Sequence, residues 1–316
     1  MINQQVTVIS IEKLTPRIKS LRLASAEDER LMPFSPGSHI AVEIPLGQKI
    51  RRNSYSLCSS PYEAKFYDLA VLLSEDSRGG SQYLHQIEIG TKLNIGLPKN
   101  SFYLNSSVKK YLLIAGGIGI TPLLSMLLTL SKDKIPFELH YAAKSPLECA
   151  FYEFLKQQYS DRVKFYFSHQ SDRIIPKQIL QDRPLGTHVY LCAPGGLMAD
   201  CYSAARALGY PNSAIHQELF GAVKTNKVKP FTAVLAQSKK EIKVPSDKTL
   251  LEALEAADTA PNYSCRAGGC GACEVKVIAG EIEHLDSYYS SEEKAEQDRI
   301  LTCVSRAKSK QLVINL

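Results

Sequence analysis

The feature that most restricts what this chain can form is a set of four cysteines near its C-terminus. Cys265, Cys270 and Cys273 follow the spacing Cys-x4-Cys-x2-Cys, and Cys303 comes after a further 29 residues. The residues between the first three cysteines are mostly glycine and alanine, so the backbone can wrap closely around a bound group and direct N–H groups at it. Four thiolates, two for each iron, are what a [2Fe–2S] cluster requires. The spacing therefore predicts an iron–sulfur centre with these four ligands.

A disulfide framework, a zinc site or chance spacing would account for the four cysteines less well. Disulfide frameworks are unusual in a chain of 316 residues that shows no secretory signal. A structural zinc site usually has two short cysteine pairs, and four unrelated buried cysteines would need an accident of spacing. The pattern is instead typical of plant-type ferredoxins. The remaining cysteines lack ligand spacing and are predicted to be small buried apolar residues: Cys58, Cys149, Cys192 and Cys201.

Hydropathy patterns divide the chain into three regions and a connection. In residues 1–105, short strand-like segments separated by turn residues predict an antiparallel β-barrel. In residues 106–221, apolar strands alternate with helices, which predicts βαβ units and a parallel sheet. Residues 222–230 are polar and rich in lysine, which predicts a linker. Residues 231–316 contain two strand-like segments, a helix and the cysteines, so we expect an α+β domain there.

Two glycine-containing loops predict a nucleotide site in the second region. The sequence GGIGITP (116–122) follows a strand and opens a helix, with Thr121 suited to cap the helix and Pro122 to its first position. Such a turn lets a pyrophosphate approach the backbone, although the third glycine of G-x-G-x-x-G is replaced and a plain strand–helix turn stays an alternative. The sequence CAPGGLM (192–198) follows another parallel strand. Because ligands bind at the carboxyl ends of parallel strands, both loops are expected to face one site.

Two short motifs in the first region predict a second phosphate-containing ligand. Ser54-Tyr55-Ser56-Leu57 lies on a predicted barrel strand, and Arg78-Gly79-Gly80-Ser81 precedes a predicted helix. Glycine N–H groups and a serine hydroxyl suit a phosphate. Either motif alone is typical of an ordinary strand or turn.

Together and in this order, the motifs of all three regions resemble the phthalate dioxygenase reductase family. That family is similar to ferredoxin–NADP reductases and carries a plant-type ferredoxin domain of the β-grasp type at its C-terminus. The resemblance implies electron transfer from NADH through FMN and a [2Fe–2S] cluster to a Rieske-type oxygenase. The catalytic residues that it implies are Ser56, Thr121, Cys192, Glu218 and Phe220. The cofactor-binding residues that it implies are Arg52, Asn53, Tyr55, Ser56, Leu57, Gly79, Gly80, Ser81, Gly116, Gly117, Gly119, Thr121, Cys192 and Pro194.

The chain departs from the family pattern at Asn53, where the family usually has arginine in Arg-x-Tyr-Ser. Arg52 is adjacent, but neighbouring strand residues face opposite ways. Either Arg52 reaches round to the flavin, or the flavin phosphate loses a charged contact. An asparagine here resembles reductases of quaternary-amine oxygenases such as those for carnitine, while aromatic acids stay open as oxygenase substrates. Lys144, in a loop without a carboxylate for a ribose hydroxyl, is either a solvated residue or a sign that NADPH is accepted beside NADH.

Two other functions stay open, a stand-alone flavin or ferredoxin reductase and a non-enzymatic redox sensor. The composition, 44% hydrophobic and 22% charged, is globular. No apolar run approaches the roughly 20 residues of a membrane span, and basic residues do not cluster with aromatic ones. We therefore expect a cytoplasmic monomer that binds neither membranes nor nucleic acid.

Overall fold

The computed structural model describes residues 3–27, 30–47, 49–63, 65–75, 77–105, 108, 110–220 and 229–316. Contacts divide the chain into two compact units, Met1–Glu218 and Leu219–Leu316. None of the helices in the described part of the chain has the length and apolar character needed to cross a bilayer.

The first sheet of the first unit is antiparallel and contains β1 (Asn3–Thr15), β2 (Ile18–Ser25), β3 (His39–Leu46), β4 (Lys49–Ser56), β5 (Tyr67–Leu72) and β6 (Lys92–Gly96). The strand order is β4-β3-β6-β1-β2-β5, and a bridge between Leu57 and Leu69 joins the two edges. The sheet therefore closes into the predicted barrel, with β6 as a strand that the hydropathy pattern did not identify. Alternate residues of β3, such as Ile40 and Val42, fill its interior, and helix α1 (Gly80–Gln86) follows β5.

The second sheet of this unit is parallel and contains β7 (Lys110–Gly116), β8 (Phe137–Ala143), β9 (Val163–Phe167), β10 (Thr187–Cys192) and β11 (Ile215–Gln217). The helices of this region are α2 (Ile120–Lys132), α3 (Tyr152–Gln158), α4 (Pro176–Leu180) and α5 (Gly195–Ala207). The order β11-β10-β7-β8-β9 places β7 at the centre, buried from Tyr111 onward, which explains its continuous apolar sequence. Ala115 at the end of β7 pairs with Cys192 at the end of β10, so both carboxyl ends lie side by side.

The start of α2 differs from the sequence-based prediction. The helix begins at Ile120, directly after a 3-10 turn over Gly117–Gly119. Thr121 lies inside the helix, and its hydroxyl donates to the Ile118 carbonyl at 2.9 Å. The prediction of Thr121 as the cap and Pro122 as the first helical residue is therefore wrong. The N–H of Ile120, the first helical residue, already donates to the carbonyls of Gly117 and Ile118 in the preceding turn.

The second unit contains β12 (Phe231–Leu235), β13 (Glu241–Val244), β14 (Glu274–Ala279), β15 (Ile282–Glu283), β16 (Arg299–Leu301), β17 (Arg306–Ala307) and β18 (Gln311–Ile314). Its main sheet has the order β13-β12-β18-β14-β16, and β12 and β18 are parallel. The helices α6 (Leu250–Ala256) and α7 (Ser291–Glu296) each begin with a capping box, Thr249 with Glu252 and Ser290 with Glu293. Leu254 of α6 packs against the sheet in one core, which gives the predicted α+β arrangement.

The predicted linker falls almost entirely outside the described residues, which resume at Lys229. The buried Arg306 donates to the Lys229 carbonyl at 3.2 Å and to the Pro245 carbonyl at 3.1 Å. These bonds attach Lys229, where the described residues resume, to the buried Arg306 of the same unit. The three domain boundaries at 105, 221 and 230 stay predictions.

Candidate functional site

The four predicted ligands lie in the second unit as two pairs of thiols. Cys265, Cys270 and Cys273 occupy the loop between α6 and β14, and Cys303 follows β16. Cys265 is within hydrogen-bond reach of Cys270, and Cys273 of Cys303. The charge of Cys265 also acts on Cys273 and Cys303, so the two pairs adjoin. Among the described residues, no group of three or more histidine, cysteine, aspartate or glutamate side chains is arranged so that it could hold a metal ion. Two adjoining pairs suit two irons with two thiolates each.

Each pair of thiols favours one thiolate. The hydrogen bond from Cys270 lowers the pKa of Cys265, and the Ala267 N–H, 3.4 Å from its sulfur, contributes in the same direction. The hydrogen bond from Cys303 likewise lowers the pKa of Cys273. Because the thiolate is the form that binds metal, one sulfur of each pair is already close to its ligand state. The donor set therefore fits an iron–sulfur cluster.

A buried aspartate without any marking motif in the sequence supports the cysteine loop. The Asp286 carboxylate accepts hydrogen bonds from the Tyr289 N–H and the Ser305 hydroxyl, both at 3.1 Å. Gly268, in the loop, has φ +73°, and a Cβ there would lie 3.3 Å from the Asp286 Cβ and 2.6 Å from Val304. The segment around Asp286 therefore lies against the cysteine loop. Nothing in the sequence distinguished Asp286, because its contacts with Ser305 and the cysteine loop join separate parts of the chain.

Close approaches at two glycines bring the glycine loops together at the carboxyl edge of the parallel sheet. A Cβ on Gly119 would lie 1.9 Å from the carbonyl oxygen of Cys192, and a Cβ on Gly116 would lie 2.5 Å from Pro194 Cδ and 2.8 Å from Ala193 Cβ. No other residue type fits at such separations. These glycines therefore allow the two loops to pack against each other. This role is separate from their predicted role of letting a phosphate approach the backbone.

A side chain of the neighbouring strand β8, Tyr141, holds the backbone of the first glycine loop at Gly117. Its ring is fully buried, and its hydroxyl donates to the Gly117 carbonyl at 3.0 Å. Gly117 has φ +52°, so this bond holds a left-handed residue in place. No distinct signal in the sequence marked such a role, because β8 also contains the polar residues Glu138 and His140, and the prediction of the nucleotide site missed Tyr141.

The structure also brings Cys192 and Glu218 together. The Glu218 N–H donates to the Leu191 carbonyl at 2.9 Å, which continues the β11 pairing and holds Glu218 beside the end of β10. Burial, and then the charge of Glu218, raise the pKa of Cys192 well above its usual range, so its thiol stays protonated. Phe220 is 46% exposed and belongs to the second unit. Its predicted place beside the flavin stays a prediction.

The flavin motif lies on β4, whose residues alternate between two faces. Asn53 and Tyr55 face the same way, and the Asn53 amide lies 3.5 Å from the Tyr55 hydroxyl. Arg52 faces the other way, where its guanidinium donates to a Glu43 carboxylate oxygen at 3.0 Å and 2.7 Å. The face of β4 that carries Asn53 and Tyr55 is the predicted flavin face, and Arg52 would have to break its ion pair with Glu43 to reach it. Ser56 and Leu57 end the strand and are buried.

The glycine motif before α1 lies against the same face of β4. A Cβ on Gly80 would lie 2.1 Å from the Asn53 amide nitrogen, and Gly79 has φ +95°. The Ser81 hydroxyl donates to Ser77 at 2.9 Å and accepts the Ser74 N–H at 3.2 Å. Asn53, Tyr55 and the start of α1 therefore form one surface, while Ser81 orders the loop that precedes the helix.

Two protein-family models match the chain, one over the barrel and one over the cysteine domain. Residues 5–103 match the oxidoreductase FAD-binding domain, and residues 234–308 match the 2Fe-2S iron-sulfur cluster binding domain. The chain is 40% identical over 315 residues to the carnitine monooxygenase reductase subunit of Escherichia coli (strain K12), covering 99% of this chain and 98% of that protein. It is 38% identical over 312 residues to the heme-dependent oxidative N-demethylase beta subunit of Ectopseudomonas mendocina (strain ymp), covering 98% of each.

A solved structure extends the likeness to the whole architecture. Phthalate dioxygenase reductase superposes with a TM-score of 0.83 at 32% identity, covering 99% of this chain and 98% of that one. The predicted multidomain fold is confirmed, with a flavin-type barrel, a parallel nucleotide sheet and a C-terminal ferredoxin domain. The prediction of an iron–sulfur flavoprotein oxidoreductase that uses a nicotinamide nucleotide is confirmed with it. The chain belongs to the phthalate dioxygenase reductase family.

Proposed function

We propose that the chain is the reductase component of a Rieske-type oxygenase system and passes electrons from NADH through FMN and the [2Fe–2S] cluster to the oxygenase. The observation that carries this proposal is the presence, in one chain, of two adjoining thiol pairs, a flavin-type barrel and a nucleotide edge. When bound, a flavin accepts electrons in pairs from a nicotinamide and releases them singly to a cluster. The protein's part is to bind and orient these groups.

The residues at the nucleotide edge have defined tasks in this proposal. Gly116 and Gly119 let the two loops meet, and Thr121 and Cys192 are proposed to line the nicotinamide there. The neutral Cys192 thiol, 1% exposed, supplies an apolar wall rather than a nucleophile. Glu218, held beside it, is the acidic residue that the family resemblance places near the flavin.

The flavin face has equally specific proposed roles. Tyr55 and Ser56 contact the flavin ring and the ribityl region, and Gly79 and Gly80 receive the phosphate. Burial raises the pKa of Tyr55, so its hydroxyl stays protonated and available as a donor. Phe220 keeps only the role that the family resemblance gives it, that of an aromatic residue near the flavin.

NADH is the proposed electron donor rather than NADPH. The Lys144 ammonium lies 3.9 Å from the Glu148 carboxylate, and its side chain is 62% exposed. A carboxylate at that distance opposes the binding of a 2′-phosphate beside Lys144. The ratio of kcat/KM for NADH and NADPH tests this preference, and a ratio below one would reverse it.

The proposed oxygenase acts on a quaternary amine such as carnitine. Asn53 in place of the usual arginine and the 40% identity to a carnitine monooxygenase reductase subunit support that substrate over an aromatic acid. The relative from a heme-dependent N-demethylase system favours a second candidate, a heme-containing partner. Specificity for the final substrate belongs to the partner in either case. The monomeric state, the cytoplasmic location and the absence of nucleic-acid binding stay predictions from the sequence.

The proposal is tested by releasing the flavin for comparison with FMN and FAD standards, and by mixing the full chain with NADH under anaerobic conditions. We expect FMN, rapid loss of the flavin absorbance and slower reduction of the cluster, followed by carnitine turnover when a Rieske oxygenase is added. Turnover only with a heme-containing oxygenase would support the second candidate. NADH oxidation that no oxygenase accelerates would support a stand-alone reductase. Absence of both flavin and NADH-dependent reduction would support a redox sensor.

A further inference from the structure

The flavin face of β4 carries an arginine that the family pattern does not mark. Arg51 lies two residues before Asn53, so both side chains project from the same face of the strand. On β3 the residues opposite Arg51 and Asn53 are Ile44 and Val42, which are fully buried in the barrel. The adjacent Arg52 lies on the other face with Glu43.

Arg51 is coupled to the glycine motif through Asn53. The Arg51 Nε donates to the Asn53 side-chain oxygen at 3.2 Å. The nitrogen of the same Asn53 amide lies so close to Gly80 that a Cβ on Gly80 would be only 2.1 Å from it. A chain of contacts therefore runs from the Arg51 guanidinium through Asn53 to the first residue of α1.

The charge of Arg51 extends over this surface. Burial raises the pKa of Tyr55, whereas the hydrogen bond to Asn53 and the positive charge of Arg51 act against that rise. The guanidinium is therefore close enough to act on the Tyr55 hydroxyl, which lies on the same face. Arg51, Asn53, Tyr55 and Gly80 together give a surface with one cation, neutral donors and space next to a glycine.

We propose that Arg51 supplies the charged contact to the flavin phosphate, in place of the arginine that the family usually has at the position of Asn53. This inference rests on the proposed FMN-binding function and deepens it. A guanidinium presents several N–H donors in a fixed plane, so it binds a phosphate oxygen pair with charge-assisted hydrogen bonds. Asn53 orients that guanidinium, because its oxygen accepts from Nε and so fixes the plane of the group. The flavin phosphate thus keeps a charged partner without any movement of Arg52.

The adjacent arginines provide a matched experiment. Arg51→Gln and Arg52→Gln are made in the full chain, the flavin is removed, and FMN binding is followed by quenching of flavin fluorescence. Riboflavin, which lacks the phosphate, is the second probe. Loss of a charged hydrogen bond predicts that Arg51→Gln raises the Kd for FMN about 10- to 100-fold. The Kd for riboflavin is expected to change by less than about twofold, and Arg52→Gln to weaken FMN binding by less than Arg51→Gln does. The control for unchanged binding is Arg22→Gln, at a partly exposed arginine of β2 that bonds Asp68, which is expected to leave both values near those of the unsubstituted chain.

The outcomes separate this inference from the proposed function. Equal weakening of FMN and riboflavin by Arg51→Gln would show a structural role and overturn the inference, as would unchanged FMN binding or selective loss in Arg52→Gln. Failure of the unsubstituted chain to bind either flavin would refute the proposed function itself. Arg51→Lys, which keeps the charge, provides a second variant if Arg51→Gln does not fold. Because it keeps the charge but not the planar pair of donors, it is expected to retain part of the selectivity for FMN over riboflavin, and complete loss of that selectivity in a folded Arg51→Lys protein would overturn the inference.

Discussion

The Gly119→Ala substitution adds one methyl group at the contact between the two nucleotide loops. Its Cβ would lie 1.9 Å from the oxygen and 2.5 Å from the carbon of the Cys192 carbonyl. Both are backbone atoms, so no side chain can rotate away. The loops must separate by about 1.5 Å before an ordinary contact is restored.

The size of the effect follows from that displacement. Overpacking of this kind costs about 1–3 kcal/mol, less than the roughly 5–15 kcal/mol of a typical domain, so the variant is expected to fold. A displacement of about 1 Å near reacting groups lowers rates about 100-fold. We therefore expect kcat/KM for reduction of the flavin by NADH to fall about 100-fold, while flavin and cluster contents stay unchanged.

Stopped-flow absorbance under anaerobic conditions measures that rate, and thermal melting measures stability. Gly195→Ala is the matched control for stability, because a Cβ there meets nothing within 4 Å and alanine is favoured in a helix. Its melting temperature is expected to stay equal or rise. A Gly119→Ala protein with unchanged kcat/KM and an unchanged melting temperature would refute the loop contact.

Three further predictions concern the cluster and the first unit. Cys303→Ser should leave reduction of the flavin by NADH intact and abolish cytochrome c reduction; continued cytochrome c turnover would contradict the assigned ligand. Glu138→Gln should lower the free energy of unfolding by about 1–3 kcal/mol, since its carboxylate accepts at 2.6–3.0 Å from an arginine and a histidine. The exposed Glu75→Gln is its control, with an expected change below about 0.5 kcal/mol in urea titrations. Burial, and then a neighbouring histidine, lower the pKa of His216 to about 4. Because the unfolded chain binds this proton first, stability should fall between about pH 6.5 and pH 4, by about 1–2 kcal/mol after allowance for its partial exposure. His216→Gln should reduce that pH slope, and equal slopes would disprove the assignment.

The flavin strand shows where reasoning from the sequence reached its limit. Alternation along a strand was enough to predict that Arg52 and Asn53 face opposite ways. It did not identify Arg51 as the cation beside Asn53, because the family motif marks a different position on the strand. Only the close approach of Asn53 to Gly80, two segments well separated along the chain, showed which face of β4 meets the glycine motif.

From the sequence, the iron–sulfur domain, the order of the three regions and the positions of the glycine loops could be predicted, and the four cysteines stay the predicted ligands. These features depend on spacing within short segments, such as the Cys-x4-Cys-x2-Cys run, or on local hydropathy. Tertiary structure alone decided that Gly119 touches Cys192, that Tyr141 holds Gly117 and that Asp286 supports the cysteine loop. Each of these contacts joins residues far apart along the chain, and such pairs are set by sheet order and packing rather than by any local pattern.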